Sequence, residues 1–216
     1  MHVLLTAGPT YEPLDPVRFL GNRSTGKMGY ALAEAFAAQG ARVTLVSGPS
    51  HLPDPASPGI RTVRVETAAE MFAAASEAAE AADVWVFAAA VADYRPAQVA
   101  TEKIKKSGET LTLELVKNVD IAATLGQRKR AEQFAVGFAL ETTNELAHAQ
   151  DKLRRKNFDL IVLNSLRDAG AGFGHDTNKV TVLDAAGQIV NFELQSKADV
   201  ARGLVRLILA RLTPAS

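Results

Sequence analysis

Cysteine is missing from all 216 residues, which excludes disulfide frameworks, thiolate zinc sites and a cysteine nucleophile, and points to a reducing compartment. An excess of either charge is missing too. With 24 Lys+Arg against 24 Asp+Glu the formal charge is zero, so no polyanion-binding surface of the kind a nucleic-acid groove requires is expected, and any anion site is local. No apolar run approaches the roughly 20 residues that cross a bilayer. The opening Met1-His2-Val3-Leu4-Leu5-Thr6 has no basic n-region and no cleavage pattern, so a cytoplasmic location and no membrane contact are expected. The four histidines, His2, His51, His148 and His175, show no metal-ligand spacing.

What is present is an alternation of short β-rich apolar runs with longer alanine-rich segments of helical period, the order of βα units around a parallel sheet. Strands are predicted at 3–6, 42–46, 62–65, 84–88, 134–138 and 160–163, several of them continuously apolar, as strands covered on both faces should be. Helices are predicted at 27–39, ending at Gly40, at 68–81, opened by a Thr67/Glu70 capping box, and at 143–156 and 197–212. A hairpin around Ala186-Gly187 joins 179–183 to 189–193. The expected fold is α/β: a single Rossmann-like three-layer domain over 1–216, with a mostly parallel sheet and a small C-terminal hairpin.

Three stretches, 7–26, 47–59 and 92–109, break this pattern, and long irregular connections in a compact domain usually carry function. The proline-rich 47–59 is chemically bland and reads as a surface connection. The first holds Arg18-Phe19-Leu20-Gly21-Asn22-Arg23-Ser24-Thr25-Gly26-Lys27-Met28-Gly29, a glycine- and hydroxyl-rich loop feeding a helix start, where backbone N–H groups attract phosphate. Gly21 to Lys27 matches the front of a Walker A motif. Met28, however, stands where Ser or Thr would ligate magnesium, and the loop begins well beyond the first strand, so a conventional P-loop NTPase is not expected.

The third irregular stretch opens within Ala88-Ala89-Ala90-Val91-Ala92-Asp93-Tyr94-Arg95-Pro96, at the end of a strand. Its small residues admit a flat ligand against the backbone, and Asp93 can hold a hydroxyl or a magnesium ion. Beyond it, Glu102-Lys103-Ile104-Lys105-Lys106-Ser107-Gly108 is a cationic knot of the kind that neutralises charge on phosphate oxygens. Further polar residues beside apolar strands are Asn118, Glu141 and Asn164, and Phe138 either stacks on a base or packs in the core. A nicotinamide-dependent reductase is weakened by the missing G-x-G-x-x-G and by the absence of Tyr-x-x-x-Lys. A non-catalytic nucleotide-binding protein is the other alternative.

Taken together, Arg18 to Gly29, the run ending at Pro96, Glu102 to Lys106, Leu115 to Ile121 and Gly137 to Thr142 resemble phosphopantothenoylcysteine synthetase over nearly the whole chain. Lys103 to Lys106 look like the bacterial, CTP-using version. The resemblance implies ligation of 4′-phosphopantothenate to L-cysteine in coenzyme A biosynthesis, with CTP as substrate and magnesium as cofactor, through an acyl-cytidylate. It assigns Lys103 to activation and Asn22 and Arg18 to conversion of the intermediate. It also places cytosine near Ala89 and Phe138, the ribose or cation near Asp93, and phosphates near Ser24, Thr25 and Gly26. Family members are homodimers, often fused to a decarboxylase half, and the lysine loop is expected to close on substrates.

Overall fold

Strands that are apolar on both faces need cover on both, and the computed structural model, which describes residues 1–106, 108–141, 143–165 and 174–212, is built around such strands. In chain order these are β1 (His2–Ala7), β2 (Tyr11–Pro13), β3 (Phe19–Gly21), α1 (Lys27–Ala38), β4 (Arg42–Ser47), β5 (Ile60–Arg64), α2 (Ala68–Ala79), β6 (Val84–Phe87), β7 (Tyr94–Pro96) and β8 (Leu115–Lys117). There follow α3 (Ile121–Gly126), β9 (Phe134–Glu141), α4 (Glu145–Arg155), β10 (Leu160–Ser165), β11 (Thr177–Asp184), β12 (Ile189–Ser196) and α5 (Lys197–Leu212). Ser107 and Thr142, which belong to two of the motif stretches, lie outside the described residues.

The central sheet has the order β12-β11-β10-β9-β6-β1-β4-β5. From β5 to β10 neighbouring strands are parallel, whereas β11 and β12 close the edge as antiparallel strands. The expected mostly parallel sheet is therefore observed, with one refinement: the C-terminal hairpin is longer than 179–193 and extends the main sheet instead of standing beside it. The chain builds outward from β1 to β4 and β5, then returns past β1 to β6, β9 and β10. That reversal makes β1/β6 the topological switch point, where open α/β sheets bind ligands at the carboxyl ends of strands.

Alternate residues of β1 feed the two faces. Val3 and Leu5 pack with Leu32 and Phe36 of α1 and Leu204 and Ile208 of α5. Leu4 joins Met71 and Ala75 of α2, Leu125 of α3 and Leu153 of α4 on the other face. Each of the larger side chains, the Val, Leu, Ile, Phe and Met among them, contributes about 1.5–3 kcal/mol on full burial, and all of these residues are nearly inaccessible to water. Gly29 allows α1 to lie this close, since a Cβ there would stand 2.5 Å from the Ala7 Cβ. The Thr67/Glu70 capping box forms as expected.

Two of the irregular stretches prove partly regular. Residues 7–26 contain the β2–β3 hairpin, and 92–109 contain β7, which pairs with β8. Three-residue strands leave no measurable periodicity, which is why the sequence hides them. Buried Glu12 on β2 ties the first hairpin down by accepting the Ala68 N–H at the start of α2, at 2.9 Å.

Candidate active site

At the switch point a cavity of about 390 Å³ opens between the 22–29 loop, the 88–93 segment, residues 118–122 and the ends of β9 and β10. Its floor is backbone held in place from several directions. Beyond β1 and β6 the parallel pairing continues as a Pro9–Ala90 bridge, with Ala88 N–H donating to Thr6 O at 3.1 Å and Ala90 N–H to Gly8 O at 2.8 Å. The Thr10 hydroxyl accepts Ala92 N–H at 3.0 Å. Asn118 donates to Ala92 O at 2.9 Å, and its own side-chain oxygen accepts from Arg95 at 3.0 Å. A floor this well satisfied is preorganised for a ligand.

The loop above it is pinned as well. The Asn22 amide donates to Ala90 O at 2.9 Å and Val91 O at 3.2 Å. Gly26 caps α1 with φ 81°, a left-handed geometry that favours glycine. Ser50 donates to Thr25 O at 2.9 Å, so the 47–59 connection is not bland: it buttresses the phosphate-type loop. Nothing in its proline-rich composition announces that contact across 25 positions.

Four lysines stand in the walls. Lys27, Lys152, Lys156 and Lys197 all line the cavity. Lys27 pairs with Asp176 at 2.7 Å, Lys152 with Glu141 at 2.6 Å, and Lys156 with Asp120 at 2.8 Å. Burial pushes the Asp120 carboxyl up, but hydrogen bonds from Lys156 and the Ala123 N–H, with the charges of Lys156 and Arg155, hold it below its ordinary value. Asp93 also lines the cavity, and its carboxylate makes no hydrogen bond or ion pair among the described residues.

Of the residues singled out in the sequence, Asn22, Ser24, Thr25, Gly26, Ala89, Asp93 and Phe138 meet in this cavity. Phe138 lines the cavity and packs against the core. Asn164 also lines it, whereas Glu141 acts from behind, through Lys152. Arg18 and Lys103 are not among the lining residues. They are linked instead through a buried carboxylate: Asp15 Oδ2 accepts from Arg18 Nε at 2.9 Å, from Arg18 Nη2 at 2.6 Å and from the Ile104 N–H at 3.1 Å. Arg18 in turn donates to Ile104 O at 2.7 Å. Both backbone groups of Ile104 are thus clasped, which hangs the Lys103–Lys106 segment from the turn before β3.

The clasp depends on Asp15 staying ionised. Burial pushes its carboxyl up, yet the Val17, Ile104 and Arg18 N–H groups and the Arg18 guanidinium outweigh that and hold it well below the carboxylate range. Sequence reasoning missed Asp15, and it missed Lys152, Lys156, Lys197 and Asn178 as lining residues. A lysine in the last turn of a charged helix reads as solvated surface, and only the return of β10 to the sheet brings that turn over the cavity.

Comparison with known proteins gives a consistent picture. The model of the DNA/pantothenate metabolism flavoprotein C-terminal domain matches residues 1–212. The chain is 51% identical over 207 residues to a cysteine/cysteine sulfinic acid decarboxylase of an unknown prokaryotic organism, covering 96% of this chain and 57% of that protein. It is 47% identical over 209 residues to the coenzyme A biosynthesis bifunctional protein CoaBC of Bacillus subtilis (strain 168), covering 97% of this chain and 51% of that one. The chain therefore spans about half the length of these curated relatives. Among solved structures, the C-terminal domain of a CoaBC protein superposes with TM-score 0.83 at 42% identity, covering 98% of this chain and 95% of that one. A Cab2 variant in complex with phosphopantothenate-cysteine has the same fold, with TM-score 0.77 at 20% identity and coverage of 98% and 86%.

Proposed function

The chain belongs to the DNA/pantothenate metabolism flavoprotein C-terminal domain family, and from that premise we propose that it is the ligase part of coenzyme A biosynthesis. It joins 4′-phosphopantothenate to L-cysteine at the expense of CTP. The observation that carries this reading is the cavity itself, an anion-accepting loop and four lysines facing a preorganised backbone floor at the switch point of the sheet. Its volume suits a nucleotide-sized ligand. The CoaBC relatives and the phosphopantothenate-cysteine held by the Cab2 variant support the substrate class. The decarboxylase relative is a protein of which this chain spans 57%, so its activity is not carried over.

A carboxylate is a poor acylating agent, and attack of the phosphopantothenate carboxylate on the α-phosphate of CTP turns it into a mixed anhydride, with pyrophosphate leaving. The cysteine amine then attacks the acyl carbon, CMP departs and the amine loses a proton. Ser24, Thr25 and Gly26 receive phosphates, Ala89 and Phe138 the cytosine, and Asp93 the ribose or a cation. Lys103 serves activation by neutralising charge that develops on the α-phosphate. Asn22 and Arg18 serve the second step, Arg18 from its position beside the lysine segment. The preference for CTP rests on the Lys103-Ile104-Lys105-Lys106 motif.

Magnesium fits this site only in company with the nucleotide. Among the described residues no group of three or more His, Asp or Glu side chains converges on a metal position, and Asp93 offers one carboxylate, the usual protein share when phosphates supply the rest. Bound there, the ion would neutralise phosphate charge. A homodimer is supported by the large apolar side chains left exposed on and around the two small hairpins, Val17, Phe19, Tyr94, Leu113 and Leu115 among them. In relatives of twice the length, the additional half would be the decarboxylase partner. No helix among the described residues is long and apolar enough to cross a membrane.

The test is pyrophosphate release by the purified chain with magnesium and 4′-phosphopantothenate, comparing CTP with ATP, with and without cysteine. The reading expects release with CTP, and CMP and amide only when cysteine is present. Nucleotide binding without release under any condition would leave a binding protein and overturn the ligase assignment.

A further inference from the structure

Asp93 reaches the cavity from the connection between β6 and β7, and the backbone that carries it is held on every side. Ala92 N–H donates to the Thr10 hydroxyl at 3.0 Å. Ala92 O accepts from Asn118 Nδ2 at 2.9 Å, and Asp93 O accepts from the Asn118 backbone N–H at 2.8 Å. Tyr94, the next residue, pairs with Lys117 in the β7–β8 ladder. Asn118 alone therefore bonds to the carbonyls on both sides of the Asp93 Cα. With both flanking peptide planes fixed, so is the direction in which the Asp93 side chain leaves the backbone.

Asn118 is itself oriented from outside. Its amide stands between a group that only accepts, Ala92 O, and a group that only donates, the Arg95 guanidinium, so that a single rotation of the amide satisfies both. Arg95 Nη1 donates to Asn118 Oδ1 at 3.0 Å and to Lys117 O at 2.8 Å. These bonds keep the arginine off Asp93, two residues away, whose carboxylate stays open to a ligand. Arg95 does not line the cavity, so it can act on a ligand there only through other residues. We propose that Asn118, set by Arg95, is a positioning residue that aims the Asp93 carboxylate at the bound nucleotide. The proposal rests on the nucleotide reading given above. A carboxylate whose direction is already fixed has less freedom to lose on binding than one that has to be ordered.

Calorimetric titration of the full chain with CTP and magnesium, run as double-mutant cycles, tests it. Asp93→Asn should weaken CTP binding about tenfold, the scale of one lost charge-assisted contact. Asn118→Ala should weaken it about as much and Arg95→Met about threefold, whereas either change added to Asp93→Asn should weaken it less than about twofold further. Arg95→Lys should restore part of what Arg95→Met loses, because both bonds come from one nitrogen. Arg95 is exposed, so its cycle decides the matter even if Asn118→Ala does not fold. Losses that persist in full on top of Asp93→Asn would reduce Asn118 and Arg95 to braces of the hairpin, and affinities that neither change moves would remove even that; both results overturn the positioning role while leaving the ligase reading intact. Coupling to Asp93 in a protein that binds CTP but releases no pyrophosphate would keep the positioning role and overturn the ligase reading.

Discussion

The cavity wall and the 103–106 segment both present lysines to an expected anion, under opposite conditions. Lys27, Lys152 and Lys156 on the wall each have a carboxylate partner at 2.6 to 2.8 Å. Lys103, Lys105 and Lys106 are exposed, make no ion pair among the described residues and lie outside the cavity lining. Only the backbone between them is fixed, by the Asp15–Arg18 clasp on Ile104. A paired lysine is already in place when a ligand arrives, whereas a solvated one contributes little until it is brought out of water. The difference divides the work. On the proposed ligase reading, the wall would hold the nucleotide in the ground state and the segment would supply charge only in the transition state, the kind of interaction that accelerates chemistry.

The largest effect that would break this division comes from Lys103→Gln. Turnover should fall by about 100-fold or more, the scale for a lost transition-state charge contact, while CTP affinity stays within about threefold; a parallel loss of affinity would put Lys103 on the wall's side. Asn22→Asp should come next. The carboxylate would face the Ala90 and Val91 carbonyls that the amide now serves, and the expected signature is acyl-cytidylate that forms and accumulates, seen by quenching a single turnover. Since Asn22 is exposed, thermal unfolding should shift little, so that a large drop in Tm would mark the residue as a brace only.

Smaller effects test the clasp. Asp15→Asn weakens its hold on Arg18 and Ile104, and should speed amide exchange at 103–106 and slow turnover about three- to tenfold, leaving wall-dependent CTP binding alone. Equal exchange in variant and wild type would show that the segment hangs from something else. The smallest effect is on acid stability. Because the folded-state pKa of Asp15 is depressed, its contribution is complete above the unfolded value of about 3.9 and is lost as pH falls below it toward the folded value. Acid unfolding between about pH 4 and pH 2 should accordingly be shallower in Asp15→Asn than in the wild type.

Legibility from sequence followed the same division. The parallel core was readable because β6, β9 and β10 carry continuous apolar runs and β1 and β4 are mostly apolar, and because Gly40 and the Thr67/Glu70 pair mark helix ends. The loop and part of the floor were readable too: Asn22, Ser24, Thr25 and Gly26 sit in a glycine- and hydroxyl-rich motif at a helix start, and Ala89 and Asp93 in a small-residue motif at a strand end, where the fold class places ligands. The wall was not, since Lys152, Lys156 and Lys197 belong to helices whose polar face reads as solvent-facing. Their role follows from strand order, which periodicity does not encode. Asp15 was hidden for another reason, its neighbours Leu14 and Pro16 suggesting only a turn. The small strands β2, β3, β7 and β8 escaped because three residues hold less than two periods of alternation.

The measurement closest to the central claim is a rapid quench of CTP labelled at the α-phosphate, mixed with enzyme, magnesium and 4′-phosphopantothenate in the absence of cysteine. A ligase that activates the carboxylate on this cavity floor should produce an acid-stable acyl-cytidylate and pyrophosphate in amounts comparable to the enzyme, and added cysteine should convert the label to CMP. Label that remains in CTP throughout, with the nucleotide bound, would contradict the account.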